Sequence, residues 1–268
     1  MKSLVRWGTT VTLVGSTLVG SLVAGGFRAL ALTPEQVMQK LRSVPVFTIA
    51  NAQGAPLVAT PPQGQQGAVA GVFISQRDAQ AFLQALQTKN PNLAKEVKVV
   101  PVSLAEVYQL NQANQGKKDK LDFAYVPTKQ QVASAVALLK QSGQKVDQFG
   151  GTPLFVARAG KEKGFLTVQE GDRSVIPMFF NKEDLNPLLE NFKKQQPNLA
   201  ATVDIQVFPL EGVMEALKKE NDPQLDKVVL VPPKESIEFL RSQQPAQKPA
   251  QGGAPRPQAQ PAPAPAKK

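Results

Sequence analysis

The sequence predicts an α/β protein made of two tandem repeats, each a mixed sheet with helices mainly on one face, led by a short N-terminal helix. Three observations predict it. The stretch KNPNLAKEVKVVPVSL from Lys89 is nearly rewritten as QQPNLAATVDIQVFPL from Gln195. Short β-branched and aromatic runs alternate with amphipathic stretches in the same order in both halves. The 268 residues include no Cys and no His, so stability must come from packing, and thiol or imidazole chemistry is excluded.

The chain opens on an export segment. Lys2 and Arg6 give a positive start, VTLVGSTLVGSLVAGG from Val11 is an apolar stretch, and Ala29-Leu30-Ala31 fits a small-residue cleavage site. Residues 1–31 read as a signal peptide, with an uncleaved anchor as the alternative; the apolar run is short for a span. Without an Arg-Arg pair the general secretory route fits best. Export of a chain without Cys suits a periplasm or a comparable lumen. Residues 32–44 hold the leading helix, with Thr33 as its cap and Pro34 at its first position.

Repeat 1 covers residues 45–142 and repeat 2 covers 151–242. Pro45 and Phe47 meet Pro153 and Phe155 at an offset of 108, Phe73 and Asp78 meet Phe179 and Asp184 at 106, and YVPTK from Tyr125 meets LVPPK from Leu230 at 105. In each copy a strand and its return strand come first (PVFTIA and PLVAT; PLFVA and GFLTV), then a short apolar run suited to a buried strand (GVFIS; PMFFN). A helix follows. Ser75 with Asp78, and Asn181 with Asp184, have cap spacing, and Ala79, Phe82, Leu83 and Leu86 form a face matched by Leu185, Leu188, Leu189 and Phe192. Pro91 and Pro197 end that helix. Alternating strands bring Val97 and Val99, or Val203, Ile205 and Val207, onto one face. Short helices begin near Leu104, where Ser103 and Glu106 have capping-box spacing, and near Leu210. A last strand closed by Pro and a last helix end each copy, the first with Val132, Ala135, Val136 and Leu139 on one face.

The tail, residues 243–268, is Pro-, Ala- and Gln-rich with little apolar bulk, and reads as disordered: a passive tail, or a basic tether to an anionic surface. Seven of the 31 basic residues fall in the export segment and the tail. The remaining 24 face 21 acidic ones, a net +3 that leaves no nucleic-acid footprint.

No catalytic residue, cofactor or metal ligand is assigned. The densest acids, Glu183-Asp184 and Glu170 with Asp172, are explained by helix capping and by turn chemistry. A carboxylate-only hydrolase is the remaining enzyme alternative. Binding is left. Phe73 and Phe179 are equivalent, and alternation sends their neighbours Val72 and Ile74, Met178 and Phe180, to the opposite sheet face. If that face stays partly open, these four form an apolar surface for unfolded or extended polypeptides, with Met178 supplying adaptable packing.

The stretches LTPEQVMQKLRSVPVFTIANAQGAPLV, VFISQRDAQAFL, GTPLFVARAGKEKGFLTVQEGDRSVIPMFFNKEDL and LDKVVLVPPKESIEFL give the chain a resemblance to cyanobacterial members of the Tic-twenty-two family, named for a component of the translocon at the chloroplast inner envelope. The resemblance implies two halves about a pseudo-twofold axis with apolar hollows on their outer faces. It implies a soluble chaperone-like factor that holds or hands over polypeptides for outer-membrane biogenesis in cyanobacteria or for protein translocation in plastids; the expected compartment is the periplasm, with a thylakoid lumen as the alternative. Its implied partners are unfolded polypeptides and the outer-membrane barrel-insertion machinery, with the membrane touched only peripherally. A structural adaptor between that machinery and the wall, tethered by the tail, is the competing reading.

Overall fold

The computed structural model describes residues 11–13, 32–59, 67–114, 116–117 and 120–243. The other residues of 1–31, where the export signal and its cleavage site are expected, and the tail from residue 244 lie outside the described residues. After strand β1 (Val11–Leu13) comes helix α1 (Pro34–Arg42). The first repeat runs β2 (Pro45–Asn51), β3 (Val58–Ala59), β4 (Ala68–Phe73), α2 (Gln76–Lys89), α3 (Pro91–Glu96), β5 (Val97–Ser103), α4 (Leu104–Asn114), β6 (Leu121–Val126) and α5 (Lys129–Gln141). The second runs β7 (Pro153–Ala159), β8 (Gly164–Glu170), β9 (Arg173–Phe179), a 3-10 turn (Lys182–Leu185), α6 (Asn186–Gln195), a second 3-10 turn (Pro197–Thr202), β10 (Asp204–Pro209), α7 (Leu210–Lys219), α8 (Pro223–Lys227), β11 (Val228–Val231) and α9 (Lys234–Gln243).

The fold class is the expected one: two mixed sheets, each with helices. In the first, β2 lies antiparallel to β4 and β5, β3 flanks β4, and β6 runs parallel to β4. In the second, β7 lies antiparallel to β8, β9 and β10, and β11 runs parallel to β9. Even the register repeats. Phe47 opposes Phe73 in one sheet and Phe155 opposes Phe179 in the other. Leu104 N–H donates to the Val44 carbonyl as Leu210 N–H donates to that of Thr152.

Local chemistry places the elements. Thr33 and Gln36 close a reciprocal capping box on α1, and Ser103 and Glu106 make one at the start of α4. Ser75 caps α2. Asn181 makes no such side-chain cap, and the chain there takes a 3-10 turn before α6 begins.

Three apolar clusters form. The central one takes the inner faces of both sheets together with α1, α4 and α7. Two outer clusters lie beyond the sheets: Phe47, Ile49, Phe73 and Leu83 in the first repeat, and Phe155, Phe179, Leu185 and Phe192 in the second. The last helices are exchanged between repeats. Ala135 of α5 joins the outer cluster of the second sheet, and Phe239 of α9 packs on that of the first, its ring 5.7 Å from that of Phe47. Among the described residues no helix is long and apolar enough to cross a membrane.

Candidate functional site

The four residues expected on an open apolar face are buried. Val72, Ile74, Met178 and Phe180 are 0%, 3%, 6% and 2% exposed and all belong to the central cluster. Alternation is as expected, with Phe73 and Phe179 on the other face, but the expectation of exposure is corrected. The physical reason is the duplication. Each inner face is closed by its sister, and α1, α4 and α7 fill the remaining space.

Polar side chains bolt this seam through the exchanged helices. Buried Gln131 of α5 donates to Glu183 Oε2 at 2.7 Å and accepts from Lys182 N–H at 3.0 Å, and Gln130 donates to Glu183 Oε1 at 3.2 Å. On the opposite side Ser75 donates to Glu235 Oε1 at 2.7 Å, Arg77 pairs with Glu235 Oε2 at 3.3 Å, and buried Ser236 donates to the Ile74 carbonyl. Burial works to raise the pKa of Glu183, but the hydrogen bonds from Gln131, its own backbone and Gln130, with Lys182 nearby, win and hold it below the usual carboxylate range. Its neighbour Asp184 is pushed up by burial, against Lys234 at 3.9 Å. The Glu183-Asp184 pair is therefore used by the seam, and Glu170 and Asp172 flank the turn between β8 and β9. Among the described residues no group of acids could hold a metal ion.

Of the large apolar side chains exposed among the described residues, Val58, Phe82 and Leu110, Phe82 lies against the outer cluster of the first sheet. Phe82 of α2 is 45% exposed, with its ring 5.5 Å from that of Phe73. Leu57, Leu86 and Phe239 are half-buried around the same cluster. The Phe73 ring lies across Gly71, where a Cβ would stand 3.3 Å from it. The second repeat is more closed. Leu188 and Phe192 replace Phe82 and Leu86, and are 8% and 0% exposed; Pro177 stands where the first repeat has Gly71. Sequence periodicity put Phe82 on the buried face of α2, and Gly71 gave no signal alone. The Phe-for-Leu exchange between repeats was the available clue.

The comparisons with known proteins follow the same architecture. The Tic22-like family model matches residues 10–243. Anabaena Tic22, described as a protein-transport protein, is 36% identical, with a TM-score of 0.70 over 79% of this chain and 97% of that one. Tic22 from Plasmodium falciparum, 20% identical with a TM-score of 0.58 over 77% of this chain and 96% of that one, shares the fold. A chloroplastic TIC 22-like protein of Arabidopsis thaliana is 28% identical over 207 residues, 75% of this chain, and the chain spans 62% of that relative's length. Chloroplastic TIC 22 of Pisum sativum is 25% identical over 222 residues, covering 81% of this chain and 82% of its own. With a family match that runs from the first strand to the last helix, the chain belongs to the Tic22-like family.

Proposed function

We propose that this chain is an exported protein-transport factor that holds extended or unfolded polypeptides on the outer face of its first sheet and releases them without nucleotide or covalent chemistry. The observation that carries the reading is Phe82, left 45% exposed over Phe73 while the inner faces of both sheets are closed. The half-buried Leu57 and Leu86 extend that surface. Burial of a partner's apolar side chain against such a patch is favourable by about 25 cal/mol per Å², which suits reversible holding by a shallow site. Membership of the family, and the description of Anabaena Tic22 as a protein-transport protein, support the reading. On the export reading of residues 1–31 the work lies in a periplasm, with polypeptide bound for the outer-membrane barrel-insertion machinery as its cargo. The test is suppression of aggregation of a urea-unfolded outer-membrane protein. The parent suppresses it, and Phe82→Ser suppresses it at least about threefold less at equal concentration, in keeping with a loss of about 0.6 kcal/mol or more of apolar contact. Full suppression by Phe82→Ser would remove this face from the mechanism.

A further inference from the structure

We propose that the edge of β8 over Leu166–Val168 is a strand-addition site for an extended, uncharged apolar polypeptide segment, with the chain's own Val11–Leu13 as its intramolecular occupant; this rests on the polypeptide-holding reading above. β7 pairs with β8 only at Phe165 and Gly164, opposite Arg158 and Ala159. The ladder with β9 begins at Val168, opposite Val175. Where β8 has left β7, β1 takes the edge antiparallel, with Val11 opposite Val168, Thr12 opposite Thr167 and Leu13 opposite Leu166. An extended edge offers main-chain donors and acceptors that any strand can satisfy, so recognition depends little on side-chain identity.

The wall beside the edge supplies the apolar preference. β1 also lies against α6. Leu166 and Val168, two residues apart on one face of β8, join the outer cluster that contains Leu188 and Phe192 of α6. Gly164 to Val168 carry no charge, so nothing in this stretch pairs with an ionised guest. Among the described residues the first repeat shows no equivalent seat: its β3 is Val58–Ala59, both exposed. The edge is thus a property of the second repeat. Because residues 11–13 belong to the export segment, the cut that removes that segment empties the seat.

The test uses the full chain, parent and Thr12→Pro/Leu13→Pro. Neighbouring residues of a strand point their backbone groups to opposite sides, so one of the two prolines removes a donor that faces β8. Amide hydrogen exchange at Leu166–Val168 is expected to quicken about tenfold or more in the variant, with the remaining strands unchanged. A labelled VTLVGS peptide is expected to bind the variant about tenfold more tightly than the parent, and its backbone N-methylated form not to bind. Equal exchange at these amides in both chains overturns the proposal, as does equal binding of the N-methylated peptide. Aggregation suppression measured on the same chains separates the two readings. If holding persists while the edge shows neither effect, strand addition falls alone. If the edge behaves as expected and neither chain suppresses aggregation, polypeptide holding falls and the edge stands.

Discussion

Replacing Phe180 by Ser discriminates between a core and a client surface on the inner face. Phe180 is 2% exposed and packs where both sheets meet α1, α4 and α7. Losing the ring forfeits roughly 2 kcal/mol of transfer free energy. Unrelaxed volume adds about 24 cal/mol per Å³, and truncations of buried Phe cost about 3–5 kcal/mol in all. A hydroxyl left in that cluster without a partner adds about 1–3 kcal/mol. The sum is a large share of the 5–15 kcal/mol that holds a typical domain together. Phe82→Ser removes a ring already 45% exposed, and forfeits mainly its contact with Phe73, about 1 kcal/mol. Urea unfolding followed by far-UV circular dichroism measures both; the sole Trp, Trp7, lies outside the repeats and is no reporter for them. Phe180→Ser is expected to lower the midpoint steeply and Phe82→Ser slightly. If Phe180→Ser stays within about 1 kcal/mol of the parent while losing client holding, the inner face opens to clients and the reasoning from burial is refuted.

Two further predictions concern the attachments between elements. Gln131→Leu strips Glu183 of its shortest hydrogen bond, 2.7 Å, and leaves Lys182 N–H without its acceptor, for an expected loss of about 1 kcal/mol, at the low end because Glu183 is exposed. The folded-state pKa of Glu183 is depressed, so its contribution is complete above the unfolded-state value and disappears as pH falls through the folded one. The gap between parent and variant urea midpoints should therefore be wider at pH 7 than at about pH 2.5, below the ordinary carboxylate range; an equal gap at both would show that Glu183 is not the group involved. Lys40→Met keeps the aliphatic stem but loses the bonds from Nζ to the carbonyls of Asp226 and Val228, at 2.6 and 3.1 Å, that tie α1 to the end of α8 and the start of β11. It should cost about 1–2 kcal/mol and speed amide exchange along α1; unchanged exchange there would mean that Val37 and Leu41 hold the helix unaided.

Much of this architecture was legible because it depends on local rules applied twice. The caps at Thr33 and Ser103, the face of α2 apart from Phe82, the face of α6, and the alternation about Phe73 and Phe179 each follow from spacing within a few residues. What spacing cannot say is which surface meets a given face. Val132, Ala135, Val136 and Leu139 define a helix stripe, and nothing in them shows that α5 crosses to the sister sheet; the buried residues turn out to be Gln131 and Ala135, with Leu138 half-buried against the second outer cluster. For the same reason Val72, Ile74, Met178 and Phe180 could be placed together on one face but not judged open or closed, since that depends on long-range packing across the duplication.

That packing also explains where the two repeats were free to differ. A pseudo-symmetric seam is self-complementary, so a change on one inner face must suit the equivalent surface of its partner. The inner positions accordingly stay large and apolar in both copies: Val72 with Met178, Ile74 with Phe180, Leu104 with Leu210, all within one cluster. Outer positions carry no such coupling. There Phe82 and Leu86 correspond to Leu188 and Phe192, Gly71 to Pro177, and, among the described residues, a two-residue β3 to a seven-residue β8. The outer surfaces therefore differ, with a half-exposed Phe82 ring in the first repeat and the longer β8 in the second. A duplicated scaffold whose halves lock through their inner faces therefore offers two unlike outer surfaces, and a single polypeptide held by both would be gripped by side-chain burial at one and by main-chain pairing at the other.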